Sequence, residues 1–177
     1  YYLLYDFGFN IHQTEDIVNA ELLSSKVEND GYEIVKDRSG YLIRKKRILH
    51  QEAVIIEGTG EYVFNDRLFV FELVDTEEHG LNYSEPHIQY LGFEYDPFPL
   101  ILRRKKDGDV FKPFGMHGVS QSVKKYFVDH KFSISEKDNS LIITKDALIL
   151  SIFPQRISEH CKVKELSKFV VRVREIY

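Results

Sequence analysis

Segment 102–118, LRRKKDGDVFKPFGMHG, combines four consecutive cations, a tight turn and a glycine-punctuated loop. A short apolar strand pattern precedes it at 100–102, and a helix is predicted after it, from about Ser120 to His130. Glycine allows a backbone to approach a ligand closely, and neighbouring cations attract phosphates. The segment therefore predicts a loop between a strand and a helix, with a surface suited to a polyanion.

The predicted helix carries features that favour an anion site at its start. Two serines, Ser120 and Ser122, are both N-cap candidates. Free N–H groups and the helix dipole at such a start attract negative charge. The apolar face is formed by Val123, Tyr126 and Phe127, which leaves Lys124 and Lys125 at the edge or outside. The alternative interpretation is an ordinary capped surface helix after an irregular loop.

The basic run from Arg103 to Lys106 alternates sides if it is extended, so that one pair of side chains faces outward. Such a run is otherwise typical of a solvated edge strand. A second run, 44–47, lies in acidic surroundings, which favours that structural interpretation there. The candidate phosphate-binding residues are Arg103, Arg104, Lys105, Lys106, Lys112, His117, Gly118, Ser120, Ser122, Lys124 and Lys125.

Catalytic and metal chemistry have little support in the residues. Asp107 and Asp109 flank Gly108, a pattern more typical of a turn held by side-chain to backbone bonds than of a metal site. His160 and Cys161 are adjacent in the sequence, but neighbours on a strand alternate in direction, so adjacency alone does not give a nucleophile and its base the geometry they need. Common phosphate-loop, zinc-protease and serine-hydrolase motifs are absent from the sequence. The residues therefore predict a binding module with no catalytic residue and no metal ligand.

The charge is divided unevenly along the 177 residues. Residues 1–100 hold 8 Lys and Arg against 19 Asp and Glu, a net charge of −11, whereas residues 101–177 hold 16 against 9, a net charge of +7. The basic half is suited to a polyanion, and the acidic half is suited to solvent or to a basic partner. Two ordinary surfaces of opposite bias are the alternative.

The remaining sequence predicts an α+β protein with short, mostly antiparallel strands, a few helices and two small subdomains. A helix with the N-cap Asn10 and a capping-box Gln13 is expected to run to about Asn29, and a hairpin turns at 37–40. Further strands are expected at 53–56, 61–64, 68–73, 100–102, 141–144, 147–153 and 168–173, and a loop at 75–86. The single cysteine favours a reducing compartment such as the cytoplasm. No apolar run is long enough to predict a membrane-spanning segment.

Four stretches together resemble one protein family. They are LILRRKKDGDVFKPFGMHG at 100–118, VKKYFVDHKF at 123–132, LIITKDALILSI at 141–152 and RISEHCKV at 156–163. In order and spacing they resemble the C-terminal domain of tRNA(Ile)-lysidine synthase. YDFGFNIHQTEDIVNA at 5–20 and GYEIVKDRSGYLI at 31–43 resemble the preceding region more loosely.

The resemblance implies a domain plan and a function. Residues 1–30 correspond to a helical tail of a middle domain, 31–95 to a β-rich connecting region and 96–177 to a C-terminal α+β tRNA-binding domain. The family uses ATP to adenylate the wobble cytidine of tRNA(Ile), which lysine then attacks, so that the codon read changes from AUG to AUA. The last domain grips the acceptor stem.

The same resemblance implies which parts lie elsewhere. The family's Ser-Gly-Gly-x-Asp-Ser phosphate loop is absent, since Ser-Gly occurs only at Ser39-Gly40. The chain is therefore expected to be an inactive C-terminal fragment of a ligase, with ATP and Mg bound by an N-terminal catalytic domain. Its expected partners are tRNA(Ile) and that catalytic domain, and a homodimer is a further option.

Three positions depart from the family pattern, and one rival function remains. His117 stands where lysine is common, Val110 where arginine is common, and Lys105 where an aromatic residue is frequent. These changes weaken the electrostatic grip or shift it to the other cations. The rival is a non-catalytic protein-interaction module that uses the acidic N-terminal half.

Overall fold

A computed structural model describes residues 2–38, 40–46, 51–75 and 81–176. The chain divides into two compact units, one formed by Tyr1–Leu49 with Phe132–Glu136 and the other by His50–Lys131 with Lys137–Tyr177. The strands form several antiparallel sheets, and a few short helices accompany them. This architecture confirms the predicted α+β class. The domain plan with boundaries after residues 30 and 95 remains a prediction.

The first unit joins two short helices to a three-stranded antiparallel sheet. Its elements are α1 (Tyr2–Tyr5), α2 (Ile11–Asn19), β1 (Lys26–Glu28), β2 (Tyr32–Asp37) and β3 (Gly40–Lys45), with strand order β1-β2-β3. The predicted capping box is confirmed, because Asn10 Oδ1 accepts from Gln13 N at 2.9 Å and Gln13 Oε1 accepts from Asn10 N at 3.0 Å. The predicted hairpin is confirmed as β2 and β3, although Ser39 in its turn lies outside the described residues.

Helix α2 ends ten residues earlier than its predicted end near Asn29. Strand β1 follows within that range and pairs with β2, so that Val27 lies opposite Ile34. Ile34 belongs to a small core with Leu4, Phe9 and Ile17, against which Val27 packs. A tertiary contact has therefore overridden the weak helical spacing at 20–28.

The second unit holds the remaining strands and a short helix. They are β4 (Ala53–Ile56), β5 (Gly60–Phe64), β6 (Arg67–Leu73), β7 (Ile88–Phe93), β8 (Leu100–Arg103), β9 (Val110–Phe111), β10 (Gln121–Ser122), α3 (Val123–Asp129), β11 (Leu141–Lys145), β12 (Leu148–Phe153), β13 (Arg156–Ile157) and β14 (Phe169–Ile176). A 3-10 turn covers Glu159–Cys161, and helix α4 (Ile134–Asn139) crosses the division between the units.

Two antiparallel sheets enclose the main core of this unit. One has strand order β13-β12-β11-β8-β4 and the other β5-β6-β14-β7, while β9 and β10 form a separate ribbon. Phe69 of β6 and Phe153 of β12 meet edge to face with 5.8 Å between ring centroids. Both rings are fully buried, together with Leu91, Leu102 and Val171. The resulting core supports the loop that follows β8.

Strand β7 and helix α4 were not predicted from the sequence. β7 pairs with β14, so Leu91 lies opposite Val171, eighty positions later in the chain. The predicted loop at 75–86 ends just before β7, and residues 76–80 of it lie outside the described residues. None of the described helices is long and apolar enough to cross a membrane.

Candidate nucleic-acid interface

Arg103, the last residue of β8, is an internal crosslink. Its Nη1 and Nη2 donate to Asp109 Oδ2 and Oδ1 at 2.9 and 2.8 Å, and Nη1 also donates to the Arg104 carbonyl at 2.8 Å. The Arg103 and Asp109 side chains are only 13% and 10% exposed. The structure therefore gives Arg103 a positioning role within the loop, while Lys105 and Lys106 are the exposed members of the run. Arg104 is half-buried and has contacts of its own.

Asp109 organises the turn after the basic run. Its Oδ2 accepts from Lys106 N at 2.7 Å, and its backbone carbonyl accepts from Val123 N at 2.9 Å. Burial alone would raise the pKa of Asp109, but the hydrogen bonds and charges of Arg103 and Lys106 lower it below the ordinary value. The predicted turn is present, and within the described ranges no three His, Cys, Asp or Glu side chains form a metal-binding group.

The glycine-rich loop, residues 112–120 between β9 and β10, folds through consecutive tight turns. Met116 N donates to the Pro113 carbonyl at 3.2 Å, and Val119 N donates to the Met116 carbonyl at 3.0 Å. Gly115 and Gly118 adopt φ values of 87° and 79°, in the left-handed region that glycine tolerates best. His117 lies between them at φ 50° and is exposed. The two glycines therefore serve the shape of the loop.

Residues 158 and 159, part of the RISEHCKV motif at 156–163, are hydrogen-bonded to this loop. Ser158 Oγ and Glu159 N both donate to the Lys112 carbonyl, at 3.1 and 2.8 Å. Glu159 Oε2 accepts from Gly115 N at 3.3 Å, so that this amide is already bonded. Sequence reasoning identified both motifs but did not join them. The only sequence signal for the contact was that both motifs belong to the same family pattern.

Helix α3 begins at Val123, later than the predicted start near Ser120. Ser122 is the N-cap, and its Oγ accepts from Lys125 N at 3.2 Å, whereas Ser120 is exposed. Val123 N donates to Asp109, so two amides of the first turn already have acceptors. The helix has seven residues, and its start offers less to an anion than the sequence pattern predicted.

The two faces of α3 are as predicted. Val123, Tyr126 and Phe127 are buried, and Lys124 and Lys125 are exposed. The exposed basic side chains among the candidate residues are Lys105, Lys106, His117, Lys124 and Lys125, and Lys112 is half-buried. These lysines stand on elements tied together through Asp109, which bonds to both the basic run and the first residue of α3.

The second basic run, 44–47, is engaged in local ion pairs. Arg44 Nε lies 2.6 Å from Glu33 Oε1, and Lys46 Nζ lies 3.5 Å from Glu28 Oε1. Lys45 is exposed, and Arg47 lies outside the described residues. These pairs agree with the structural interpretation of that run.

His160 and Cys161 do not form a catalytic pair. They lie on the 3-10 turn Glu159–Cys161. Cys161 is 1% exposed, its thiol donates to the Leu150 carbonyl at 2.9 Å, and burial raises its pKa to about 12. The thiol therefore stays protonated near neutral pH and is a packing residue.

Comparisons with known proteins agree with the family resemblance. No family model matches the chain. A tRNA(Ile)-lysidine synthase of Parabacteroides distasonis is 37% identical over 86 residues, which are 49% of this chain and 19% of the relative. The synthase of Caldanaerobacter subterraneus is 26% identical over 174 residues, which are 93% of this chain and 36% of the relative. The chain thus spans about a third or less of these two relatives.

One solved structure has a similar fold. The crystal structure of a TILS C-terminal domain aligns with a TM-score of 0.51 and 17% identity, over 70% of this chain and 95% of that domain. The predicted resemblance to the C-terminal part of tRNA(Ile)-lysidine synthases is confirmed. The comparisons do not favour the rival protein-interaction module.

Proposed function

From its similarity to the C-terminal region of tRNA(Ile)-lysidine synthases, we propose that this chain is the tRNA-recognition part of such an enzyme. The whole enzyme would use ATP to attach lysine to the wobble cytidine of tRNA(Ile), and this part would grip the acceptor stem. The alignment over 93% of the chain with a synthase is the observation that carries the proposal.

The exposed lysines supply the means of binding. Lys105 and Lys106 follow β8, and Lys124 and Lys125 stand on α3. Asp109 bonds to the backbone of both elements, so the backbone positions that carry the four lysines are held together before RNA binds. An RNA helix is recognised largely through its backbone and shape, which suits a set of exposed lysines on a folded surface. Arg103 supports the surface by holding Asp109.

The remaining roles belong to the same proposal. ATP and Mg would be bound by an N-terminal catalytic domain, which with tRNA(Ile) would be a partner in the cytoplasm; a homodimer is a further option. The chain alone is expected to be inactive. Lysine- and tRNA-dependent release of AMP from the purified chain should stay at background, and clear turnover would contradict this division of labour.

Titration of the chain with tRNA(Ile) at two salt concentrations tests the proposal. Binding should weaken by roughly 0.7–0.9 log units per phosphate contact for each log unit of salt, because bound counterions are released. The double substitution Lys124→Glu and Lys125→Glu should reduce the affinity several-fold or more at moderate salt. Lys45→Ala is the control, since Lys45 is an exposed lysine of the other unit.

Three results would contradict the proposal or part of it. If the wild-type chain showed no salt-dependent binding of tRNA, the proposed function would be wrong. Wild-type affinity in a folded Lys124→Glu/Lys125→Glu variant would remove α3 from the interface. Equal losses in the α3 variant and in Lys45→Ala would indicate diffuse attraction without a defined face.

A further inference from the structure

A second feature of the larger unit is an open cavity of about 300 Å³ beside the glycine-rich loop. Phe114 of that loop forms part of its wall, and the start of β7 and the turn between β12 and β13 form the rest. Cavities of this size are at the lower end of the range for small-molecule sites. The lysine surface, formed by Lys105, Lys106, Lys124 and Lys125, does not line this cavity.

Aromatic rings dominate one part of the wall. Tyr83 and Tyr90 meet edge to face with 5.4 Å between their centroids. Tyr90 is 5% exposed and fixed by packing, whereas Tyr83 is 66% exposed and Phe114 is 42% exposed. Tyr83 is held by the buried Tyr90, and Lys162 Nζ lies 5.8 Å from the Phe114 ring centroid. Partly exposed rings of this kind are suited to stacking with a flat, aromatic ligand.

Polar groups lie on the other part of the wall. The Gln155 side chain has no hydrogen bond to any described residue, and the Arg156 guanidinium uses only Nε, which donates to Tyr126 Oη at 3.3 Å. Gln89 accepts a hydrogen bond from Ser151 Oγ through Oε1, which directs its amide. Amide and guanidinium groups of this kind bind the edges of nucleobases.

We propose that this cavity takes one unpaired nucleobase of the bound RNA, stacked on Tyr83 and Phe114 and bonded at its edge by Gln155 and Arg156. The inference rests on the proposed function and adds to it a site for a single-stranded nucleotide. Bases inside a duplex have no free faces, so the occupant is a nucleotide from an overhang or bulge.

The cavity is joined to the lysine surface by direct contacts. Phe114 lies in the same loop as His117, and its N–H donates to the Ile157 carbonyl at 3.0 Å. Arg156 donates to Tyr126, a residue of the helix that carries Lys124 and Lys125. An RNA backbone that follows the lysines would therefore bring a nearby unpaired base to the cavity. The cavity wall holds one basic side chain, Arg156, and one acidic side chain, Glu85, so the preference for a nucleotide rests on the aromatic rings and the hydrogen-bonding groups.

Binding of two RNA hairpins to the full chain tests this inference. One hairpin ends in a single-stranded 3′ overhang and the other has the same stem with a blunt end. Tyr83→Ala should weaken binding of the overhang hairpin by roughly 5- to 150-fold, the range expected for loss of one base–aromatic stack, and should leave the blunt hairpin unchanged. Tyr95→Ala is the matched control, because Tyr95 is 79% exposed and lies outside the cavity.

A fluorescent base provides a direct readout. 2-Aminopurine placed in the overhang should be quenched on binding to the wild type and to Tyr95→Ala, and should stay bright with Tyr83→Ala. If both hairpins bind the wild type alike and 2-aminopurine stays bright, the cavity is not a base site, although the lysine surface stands. If the wild type binds neither hairpin, the proposed function fails as well.

Discussion

At the residue scale, Asp109 has more influence on the candidate surface than its place in a surface turn suggests. Its carboxylate holds Arg103 and the Lys106 amide, and its carbonyl holds the start of α3. An arginine that looked available for phosphate is thereby committed to the fold. A sequence shows how many cations a segment has, but only the contacts in the folded protein show which of them are available to bind a phosphate.

Asp109→Asn should lower the free energy of unfolding by about 1.5–3 kcal/mol near neutral pH, the range for a hydrogen bond to a charged group. The folded-state pKa of Asp109 lies below its ordinary 3.8. The carboxylate therefore stabilises the fold above that pH, and this stability is lost as the pH falls through the lowered folded-state value. The wild type and the variant should accordingly converge in acid.

Urea unfolding of both proteins between neutral and acid pH measures this convergence. Asp107→Asn is the control, since Asp107 is exposed and lies two residues away in the same turn. A constant difference between wild type and Asp109→Asn across the pH range would show that the pair with Arg103 is not its source.

At the scale of elements, two short segments depend on single small residues. Helix α3 relies on Ser122 as its N-cap, and β7 relies on Gly92 because the segment 162–167 passes directly over it. A β-carbon on Gly92 would lie 2.7 Å from Ser167 Oγ and 2.8 Å from Val163 Cα. Close packing of this kind has no sequence pattern.

Gly92→Ala should destabilise the larger unit by about 1–3 kcal/mol, the usual cost of an overpacked site. The backbone atom Val163 Cα cannot move aside as a flexible side chain could. Gly58→Ala is a matched control in the same unit, because a β-carbon there meets nothing within 4 Å and Gly58 has no positive φ. Thermal unfolding of the two variants should show a lower Tm for Gly92→Ala alone; equal Tm values would mean that the segment 162–167 yields freely.

Ser122→Ala should cost about 1 kcal/mol through loss of the bond to Lys125 N. Ser120→Ala should change stability little, since Ser120 is exposed and precedes the cap. Chemical unfolding of the pair decides between two serines that the sequence alone treats as equal. If Ser120→Ala lost more stability than Ser122→Ala, Ser120 would be the N-cap, which would contradict the assignment of Ser122.

At the scale of the whole molecule, the acidic and the basic parts of the sequence lie largely within one unit. Residues 50–100 hold 1 Lys or Arg against 11 Asp and Glu, a net charge of −10, and they belong to the larger unit together with most of the basic residues 101–177. In the smaller unit, acidic and basic residues nearly balance and some of them pair locally, as Glu33 does with Arg44 and Glu28 with Lys26. The exposed lysines around the glycine-rich loop lie in the larger unit and are the basis of the expected salt dependence. A net charge of −4 therefore gives no guide to RNA binding, because attraction depends on the local field.

The local features of this protein were set by the sequence itself. Short-range patterns predicted the capping box at Asn10, the hairpin at 37–40, the apolar face of α3 and the strand at 100–102, because each depends on residues that are neighbours in the chain. The family resemblance was also readable, since its motifs are contiguous. The exposed positions of Lys124 and Lys125 follow from the same helical spacing.

Only the tertiary structure decided the features that depend on distant contacts. β7 pairs with β14, and Val27, which the helical spacing predicts as part of α2, pairs with β2 as part of a strand. The burial of Cys161 and the hold of Ser158 on the glycine-rich loop likewise join residues far apart in the chain. The free energy of such contacts comes from burial and from hydrogen bonds formed after chain reversal, and neither quantity is encoded in local spacing.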